Sequence, residues 1–223
     1  MITAKIKLLL FFLFVFIGAN AQQPAFYDDL QNFKKQDSIH FPPRHAILFV
    51  GSSSFTRWVD VQDYFPNHTI INRGFGGSSF PDVIRYADVI IFPYHPKQIV
   101  IYCGENDIAG SDSVTAQTVF ERFKQLFKII RSNLEKISVL YISIKPSPSR
   151  QHLMPKFEEA NNLIKKYLKK KKKAVFIDVY HSMLNEDGTP LKDIFVEDSL
   201  HMKAKGYAIW QKIIEPYLLK NKS

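Results

Sequence analysis

The sequence predicts an α/β protein, with one three-layer α/β/α domain in which helices cover both faces of a parallel β-sheet. Three observations support this fold class. Short apolar runs alternate along the chain with longer segments of helical periodicity. The runs are almost continuously apolar, as expected for strands buried on both faces. The chain has 223 residues, of which 46% are hydrophobic and 23% charged, and this suits one globular domain.

Five segments rich in Ile, Val, Phe or Tyr are the predicted strands. In chain order they are Ala46–Val50, Thr69–Asn72, Gln98–Cys103, Ser138–Ile144 and Ala174–Val179. With strand order 2-1-3-4-5, the first strand lies between the second and the third. Polar segments that follow these three strands then meet at the carboxyl edge of the sheet, where ligands bind in open α/β sheets.

Segments between the strands have apolar residues spaced three and four apart, which predicts amphipathic helices. They are Pro81–Ile91, Ser113–Leu134, Pro155–Lys172 and Lys203–Leu219. Ser53 is expected to open a further helix directly after the first strand. Residues 22–44 form a lead-in that we expect to pack as a short helix outside the sheet, and residues 45–223 form the main domain.

The first 21 residues resemble a secretory signal peptide. Lys5 and Lys7 precede an apolar run, Leu8–Ile17, which small residues ending at Ala21 follow. The run is about ten residues long, whereas a membrane-spanning helix needs about 20. We therefore expect cleavage after Ala21, export to the periplasm or the medium, and no stable membrane anchor afterwards; an uncleaved anchor is the alternative.

Composition disfavours several classes of function. The formal net charge is +9, but much of the excess lies between Lys165 and Lys173, which fits a solvated helix end. No aromatic-interleaved basic groove appears, so no nucleic-acid partner is expected. Cys103 is the single cysteine and lies within a predicted strand, which excludes an intrachain disulfide and a cysteine-based zinc site.

Four polar segments together supply the residue types that a serine esterase needs: a nucleophile, a base, a group that orients the base, and oxyanion donors. They are Gly51–Ser54, Gly74–Gly77, Gly104–Asp107 and Asp198–His201. We expect Ser53 to be the nucleophile, His201 the base and Asp198 its partner, since a spacing of three residues in a turn brings carboxylate and imidazole together. Backbone N–H groups of Ser53 and Gly77 and the side-chain amide of Asn106 would hold the oxyanion.

Each segment has a plainer interpretation when taken alone. Gly51–Ser54 could be a polar turn and helix cap, and Ser52 and Ser54 are alternatives to Ser53 that position alone does not separate. Gly77 and Asn106 both suit ordinary turns, and Asp198 and His201 could be a capping residue and a surface histidine at the start of the last helix. The remaining histidines are expected to be surface or structural residues without an acidic partner. Four nearby aromatic residues could line a pocket or pack in the core: Phe55, Trp58, Phe75 and Phe80.

These segments resemble the four sequence blocks of the SGNH, or GDSL-type, hydrolase family, over about Ile47 to Trp210. The short chain is most similar to the platelet-activating-factor-acetylhydrolase-like branch. The first block, Ile47–Ser54, places Ser53 at the nucleophile position, although the family usually has Asp where this chain has Ser52. The resemblance implies a flavodoxin-like fold, no metal or cofactor, and ester hydrolysis through an acyl-enzyme.

The sequence therefore predicts an exported serine esterase that acts on carboxylic esters, with acyl groups on a glycan as one expected substrate. The partner is then a small-molecule or glycan ester. A lysophospholipase or a short-chain ester hydrolase is the alternative within the same chemistry. A non-catalytic binding module that has kept the fold is the alternative from another class.

Overall fold

Five parallel strands form the central sheet: β1 (Ile47–Gly51), β2 (Ile70–Gly74), β3 (Gln98–Tyr102), β4 (Ser138–Ile142) and β5 (Ala174–Ile177). Their order is β2-β1-β3-β4-β5, which confirms the predicted topology. The computed structural model describes residues 23–220. The predicted signal peptide, residues 1–21, lies outside the described residues.

The strand register aligns the carboxyl ends of the three strands that lead into the candidate site. Gly51 of β1 is paired with Gly74 of β2 on one side and with Tyr102 of β3 on the other. Every residue of β1 and β3 is buried. Their continuous apolar sequence is explained by this central position, because a middle strand has no solvent-facing side.

Most of the α-helices described in residues 23–220 lie in predicted helical segments, but two short ones, Val61–Tyr64 and Glu105–Ala109, were not predicted. In chain order, the α-helices are α1 (Tyr27–Ile39), α2 (Ser53–Thr56), α3 (Val61–Tyr64), α4 (Phe80–Arg85), α5 (Ala87–Ile90), α6 (Glu105–Ala109), α7 (Ala116–Asn133), α8 (Met154–Leu168) and α9 (Ala204–Ile214). The segment predicted as one helix over Pro81–Ile91 is divided at Tyr86, whose φ of −104° and ψ of 10° are not helical. The last helix ends early because Pro216 has no backbone N–H to continue it.

Two apolar clusters cover the two faces of the sheet and make the domain three-layered. Leu48 and Val50 belong to the cluster on the face covered by α4, α7 and α8. Ile47 and Phe49 belong to the other cluster, which also contains side chains of α2, α3 and α9. Successive side chains of β1 thus point to opposite faces of the sheet and pack in different layers, as in any pleated strand.

The lead-in helix α1 is attached to the end of β2 and to the loop that follows it. Asp37 of α1 forms an ion pair with Arg73, and the Tyr94 hydroxyl donates to the same carboxylate at 2.5 Å. Phe26, just before α1, packs edge-on against Phe75, with ring centroids 5.0 Å apart. None of the helices in the described part of the chain is both long and apolar enough to cross a bilayer.

Candidate active site

The turn after β1 presents Ser53 at the carboxyl edge of the sheet. Gly51 has a φ of +145°, and a Cβ there would lie 1.8 Å from the Tyr102 carbonyl oxygen, so only glycine fits between β1 and β3. The Ser52 N–H donates to that carbonyl at 3.1 Å. Ser53 follows as the first residue of α2, where backbone N–H groups have no acceptor within the helix.

Ser53, His201 and Asp198 form a continuous chain of polar contacts. The Nε2 atom of His201 lies 3.0 Å from Ser53 Oγ, although 148 positions separate the two residues. The Nδ1 atom of the same ring lies 2.6 Å from Asp198 Oδ2. Both distances are within hydrogen-bond reach, which is the geometric requirement for a base that removes a serine proton.

The spacing of three residues between Asp198 and His201 is explained by a local turn. The Oδ1 atom of Asp198 accepts the backbone N–H groups of Leu200 and His201, both at 2.9 Å. The intervening Ser199 has a φ of 56°, which lets the chain reverse tightly. The first carboxylate oxygen therefore holds the turn, and the second is left to contact the imidazole.

The hydrogen bonds around Asp198 also determine which ring nitrogen carries the proton. Burial alone would raise the pKa of Asp198, but hydrogen bonds from the His201 ring and from two backbone N–H groups outweigh it and lower the pKa below its usual range. An ionised carboxylate only accepts hydrogen bonds, so Nδ1 of His201 must be the donor. Nε2 is then free to accept the proton of Ser53.

Gly77 and Asn106 flank Ser53, as the strand order requires. Gly77 has a φ of +81°, a conformation that favours glycine, and its N–H has no hydrogen-bond acceptor among the described residues. The Asn106 side chain donates from Nδ2 to the Ser78 carbonyl at 3.0 Å and accepts at Oδ1 from Arg150 at 3.0 Å. One Nδ2–H is thus used within the protein, and the second has no acceptor in residues 23–220.

These groups line one open cleft with a volume of about 390 Å³. Its walls are formed by Ser53, Thr56, Arg57, Gly76, Gly77, Asn106, Arg150, Leu200 and His201. The cleft therefore brings together the candidate nucleophile, its base and both flanking donors. Asp198 reaches the cleft through His201.

The four aromatic residues considered for the pocket are core residues. Phe55, Trp58, Phe75 and Phe80 are all completely buried, and none lines the cleft. They pack with other rings instead; Phe55, for example, has its centroid 4.9 Å from that of Phe49. These side chains therefore pack beneath the turns that carry the site residues, and they do not shape the cleft.

Ser52 and Ser54, the two neighbours of Ser53, are placed differently. Both are buried, with 2% exposure, whereas Ser53 is half-buried and lines the cleft. Of the three serines, Ser53 is the one in contact with His201.

Sequence reasoning missed a buried charge cluster beside Asn106. Glu105 accepts from Lys145 Nζ at 3.1 Å on both oxygens, from the Tyr102 hydroxyl at 2.5 Å, and lies 3.2 Å from Arg150 Nη1. Burial alone would raise the pKa of Glu105, but the two cations outweigh it and hold the pKa below its ordinary value. Lys145 and Arg150 lie in the polar segment that follows β4, so the strand-end rule used for β1 to β3 could have found them.

One expectation about the histidines was wrong. His181 does have an acidic partner, because its Nδ1 lies 2.9 Å from Asp178 Oδ2 with the same spacing of three residues. Its side chain is 67% exposed, and among residues 23–220 its ring forms no hydrogen bond with a serine. An Asp-x-x-His pair is therefore a local turn geometry, and of these two pairs it is the one at Asp198 and His201 that contacts a serine hydroxyl, that of Ser53.

Within residues 23–220, no group of three or more His, Cys, Asp or Glu side chains is arranged to hold a metal ion. A larger groove, about 780 Å³, runs along α7, and its lining contains no serine, cysteine or histidine. It offers no nucleophile paired with a base, so the cleft at Ser53 is the better candidate for chemistry.

Several solved structures share the fold. A candidate acylhydrolase from Bacteroides fragilis has 23% identity and a TM-score of 0.74, with 86% of this chain and 96% of that one covered. A GDSL-like lipase from Bacteroides thetaiotaomicron has 21% identity and a TM-score of 0.70, with 84% and 96% covered. A carbohydrate esterase of family 3 from Talaromyces cellulolyticus has 16% identity and a TM-score of 0.58, with 77% and 94% covered. At these identities the similarity concerns the fold.

No curated protein sequence is significantly similar to the chain. Residues 37–209, however, match the model of the GDSL-like lipase/acylhydrolase family, a span that begins within α1 and ends within α9. Because this match covers most of the chain and the observed sheet has the strand order of that fold, the protein belongs to the GDSL-like lipase/acylhydrolase family and is a carboxylic ester hydrolase.

Proposed function

We propose that Ser53 is the nucleophile of this hydrolase, that His201 is its general base and that Asp198 orients the base. The observation that carries this proposal is the unbroken chain of contacts, 3.0 Å from Ser53 to His201 and 2.6 Å from His201 to Asp198. The oxyanion would be held by the backbone N–H groups of Ser53 and Gly77 and by the free Nδ2–H of Asn106.

The reaction then follows two steps. Ser53 Oγ attacks the ester carbonyl carbon while its proton passes to Nε2 of His201, and the C=O electron pair moves onto the oxyanion. The intermediate collapses, the C–O bond to the alcohol breaks, and His201 returns the proton to the departing alcohol oxygen. Water, deprotonated by His201, next attacks the acyl-enzyme; the acid leaves and Ser53 regains its proton.

The lining of the cleft favours short acyl groups. Of its nine residues only Leu200 has an aliphatic hydrocarbon side chain. A long acyl chain needs an apolar groove to stabilise it, at about 0.8 kcal/mol for each buried CH₂. An acetyl group needs little such surface.

The same lining suits an alcohol rich in hydroxyl groups. Arg57 offers guanidinium N–H groups at the wall of the open cleft, and the Thr56 hydroxyl, whose own proton is donated to the Ser52 carbonyl, can accept a hydrogen bond. We therefore propose acyl groups on a carbohydrate as the substrate, and the family 3 carbohydrate esterase of similar fold supports this choice. A lysophospholipase or a general short-chain ester hydrolase is the second candidate, because the motifs alone do not define the alcohol.

We also propose that the enzyme acts outside the cytoplasm. The support is the order of residues in the first 21 positions, where Lys5 and Lys7 precede Leu8–Ile17 and a small residue at Ala21. Sequencing of the exported protein should give Gln22 as the first residue. A mature protein that begins at Met1 would contradict export by cleavage.

An acyl-chain series tests the proposed substrate class. For p-nitrophenyl esters from acetate to dodecanoate, we expect kcat/KM to be highest for the shortest esters, because the cleft has no apolar groove to reward added methylenes. A chain-binding groove would instead raise kcat/KM by up to about fourfold for each methylene. Acetate release from an acetylated polysaccharide, measured beside a Ser53→Ala control, should accompany the short-chain preference.

A rise of kcat/KM with chain length would contradict the short-acyl proposal and favour the lysophospholipase. Activity on p-nitrophenyl acetate without acetate release from any acetylated polysaccharide would favour a general short-chain ester hydrolase. In both cases loss of activity in Ser53→Ala would still support the proposed nucleophile.

A further inference from the structure

Arg150 contacts the amide that is proposed to hold the oxyanion. Its Nη1 atom lies 3.0 Å from Asn106 Oδ1 and 3.2 Å from Glu105 Oε1. A guanidinium only donates hydrogen bonds, so the amide atom that faces it must be the oxygen. This contact therefore determines which way round the Asn106 amide sits.

The opposite side of the amide is held as well. Asn106 Nδ2 donates to the Ser78 carbonyl at 3.0 Å, and Ser78 is itself fixed because its hydroxyl donates to the Gly51 carbonyl at 3.1 Å. Asn106 thus bridges the loop after β2 and the segment after β4. With the amide in this orientation, the second Nδ2–H remains available in the cleft beside Ser53.

Glu105 holds Arg150 in place from the buried side. Its carboxylate is shared by Lys145 and Arg150, whose side chains are 1% and 19% exposed. One carboxylate between two cations leaves a positive excess next to Asn106 Oδ1. That excess favours the oxygen end of the amide dipole facing inward and the N–H end facing the cleft.

We propose that Arg150 is a positioning residue for the reaction, which fixes the Asn106 amide so that its free N–H meets the oxyanion. The inference rests on the proposed function, in which Asn106 is an oxyanion donor. Without the guanidinium, the amide is held from one side only, by the Ser78 carbonyl, and it can swing about that contact. Its free N–H would then no longer be fixed toward the developing negative charge, and the transition state would lose a hydrogen-bond donor.

A double-mutant cycle tests this role. We expect Arg150→Met to lower kcat for neutral p-nitrophenyl acetate by about 10²-fold with KM changed less than about threefold, near the effect of Asn106→Ala, since loss of one oxyanion donor costs ~10²–10³ in kcat. In the Asn106→Ala background, Arg150→Met should lower kcat by less than about threefold. Arg150→Lys, which keeps a donor and the charge, should recover about tenfold relative to Arg150→Met.

Arg85→Met, at an exposed arginine of α4, is the matched control and should keep parental kinetics. Thermal unfolding of each variant reports whether the fold is intact. Arg150→Met overturns the inference if it lowers kcat by the same factor with and without Asn106. The inference also fails if Arg150→Met leaves kcat unchanged and raises KM for anionic esters only, because Arg150 would then bind substrate.

The outcomes separate this inference from the proposed function. Normal kcat in Asn106→Ala would remove the proposed oxyanion donor, and the role of Arg150 would fall with it. Impaired kcat in Asn106→Ala beside normal kcat in Arg150→Met would overturn only the role of Arg150. If kcat is impaired in both single variants and falls little further in the double variant, the result supports Asn106 as oxyanion donor and Arg150 as its positioning residue.

Discussion

His201→Ala should lower kcat/KM for p-nitrophenyl acetate by about 10⁴-fold or more, the usual loss when a triad member is removed. The imidazole lies 3.0 Å from Ser53 Oγ and is the group positioned to take its proton. Without it the hydroxyl stays protonated at neutral pH and is a weak nucleophile. Initial rates over a range of ester concentrations, with each variant checked for folding, measure the effect.

The chain supplies a closely matched control in His181→Ala. His181 has the same spacing to an aspartate, Asp178, and a similar Nδ1 contact of 2.9 Å, but its ring is exposed and forms no hydrogen bond with a serine in the described part of the chain. We expect His181→Ala to retain parental activity within about twofold, as surface substitutions usually have small effects. A rate for His201→Ala within tenfold of the parent would contradict its role as base.

Glu105→Gln should destabilise the protein by about 3–5 kcal/mol, because removal of one partner leaves buried charge without compensation. Lys145 and Glu105 have side-chain exposures of 1% and 5%, and Arg150 shares the same carboxylate. Because glutamine has nearly the same shape as glutamate, the loss of stability measures the effect of removing the negative charge. Chemical denaturation at neutral pH, with the free energy of unfolding extrapolated to water, measures it.

The control for Glu105→Gln is Asp193→Asn. Asp193 forms an ion pair with Lys205, but the two side chains are 60% and 66% exposed. Exposed pairs contribute about 0–1 kcal/mol, so this variant should be nearly as stable as the parent. Equal losses in the two variants would contradict the claim that burial makes the Glu105 cluster important.

The contribution of ionised Glu105 to the free energy of unfolding should decrease at low pH. The pKa of Glu105 is lowered in the folded state, so ionised Glu105 contributes stability above the ordinary glutamate pKa of about 4.3. That contribution is lost as pH falls through the lowered folded pKa. The difference in unfolding free energy between parent and Glu105→Gln should therefore narrow below about pH 4 and stay constant at neutral pH.

The fold was predictable because the strands are short apolar runs and the middle ones are buried along almost their whole length. The apolar run from Ile47 to Val50 identifies β1 directly, and burial on both faces explains its composition. The break at Tyr86 was not predictable from helical spacing, since apolar residues continue at the same interval through α4 and α5. The attachment of α1 depends on the ion pair between Asp37 and Arg73. These residues are 36 positions apart, so local sequence patterns do not predict their contact.

The five predicted site residues are close together in the structure because each follows a strand or a tight turn. Gly77 and Asn106 flank Ser53 as the strand order requires, and Asp198 holds its own turn. Their catalytic roles remain predictions. The charge cluster escaped notice because Lys145 and Arg150 match no catalytic motif. The pair of Asp178 and His181 shows that a spacing of three residues yields the same contact without a nucleophile nearby.

Labelling with a fluorophosphonate probe, followed by peptide mapping, tests the central claim most directly. The probe traps an activated serine hydroxyl, and Ser53 is the serine in contact with His201. We expect a single modified peptide with the label on Ser53, no label on the buried Ser52 and Ser54, and no labelling in His201→Ala. Absence of labelling at neutral pH in an active preparation, or a label on another serine, would contradict Ser53 as the nucleophile.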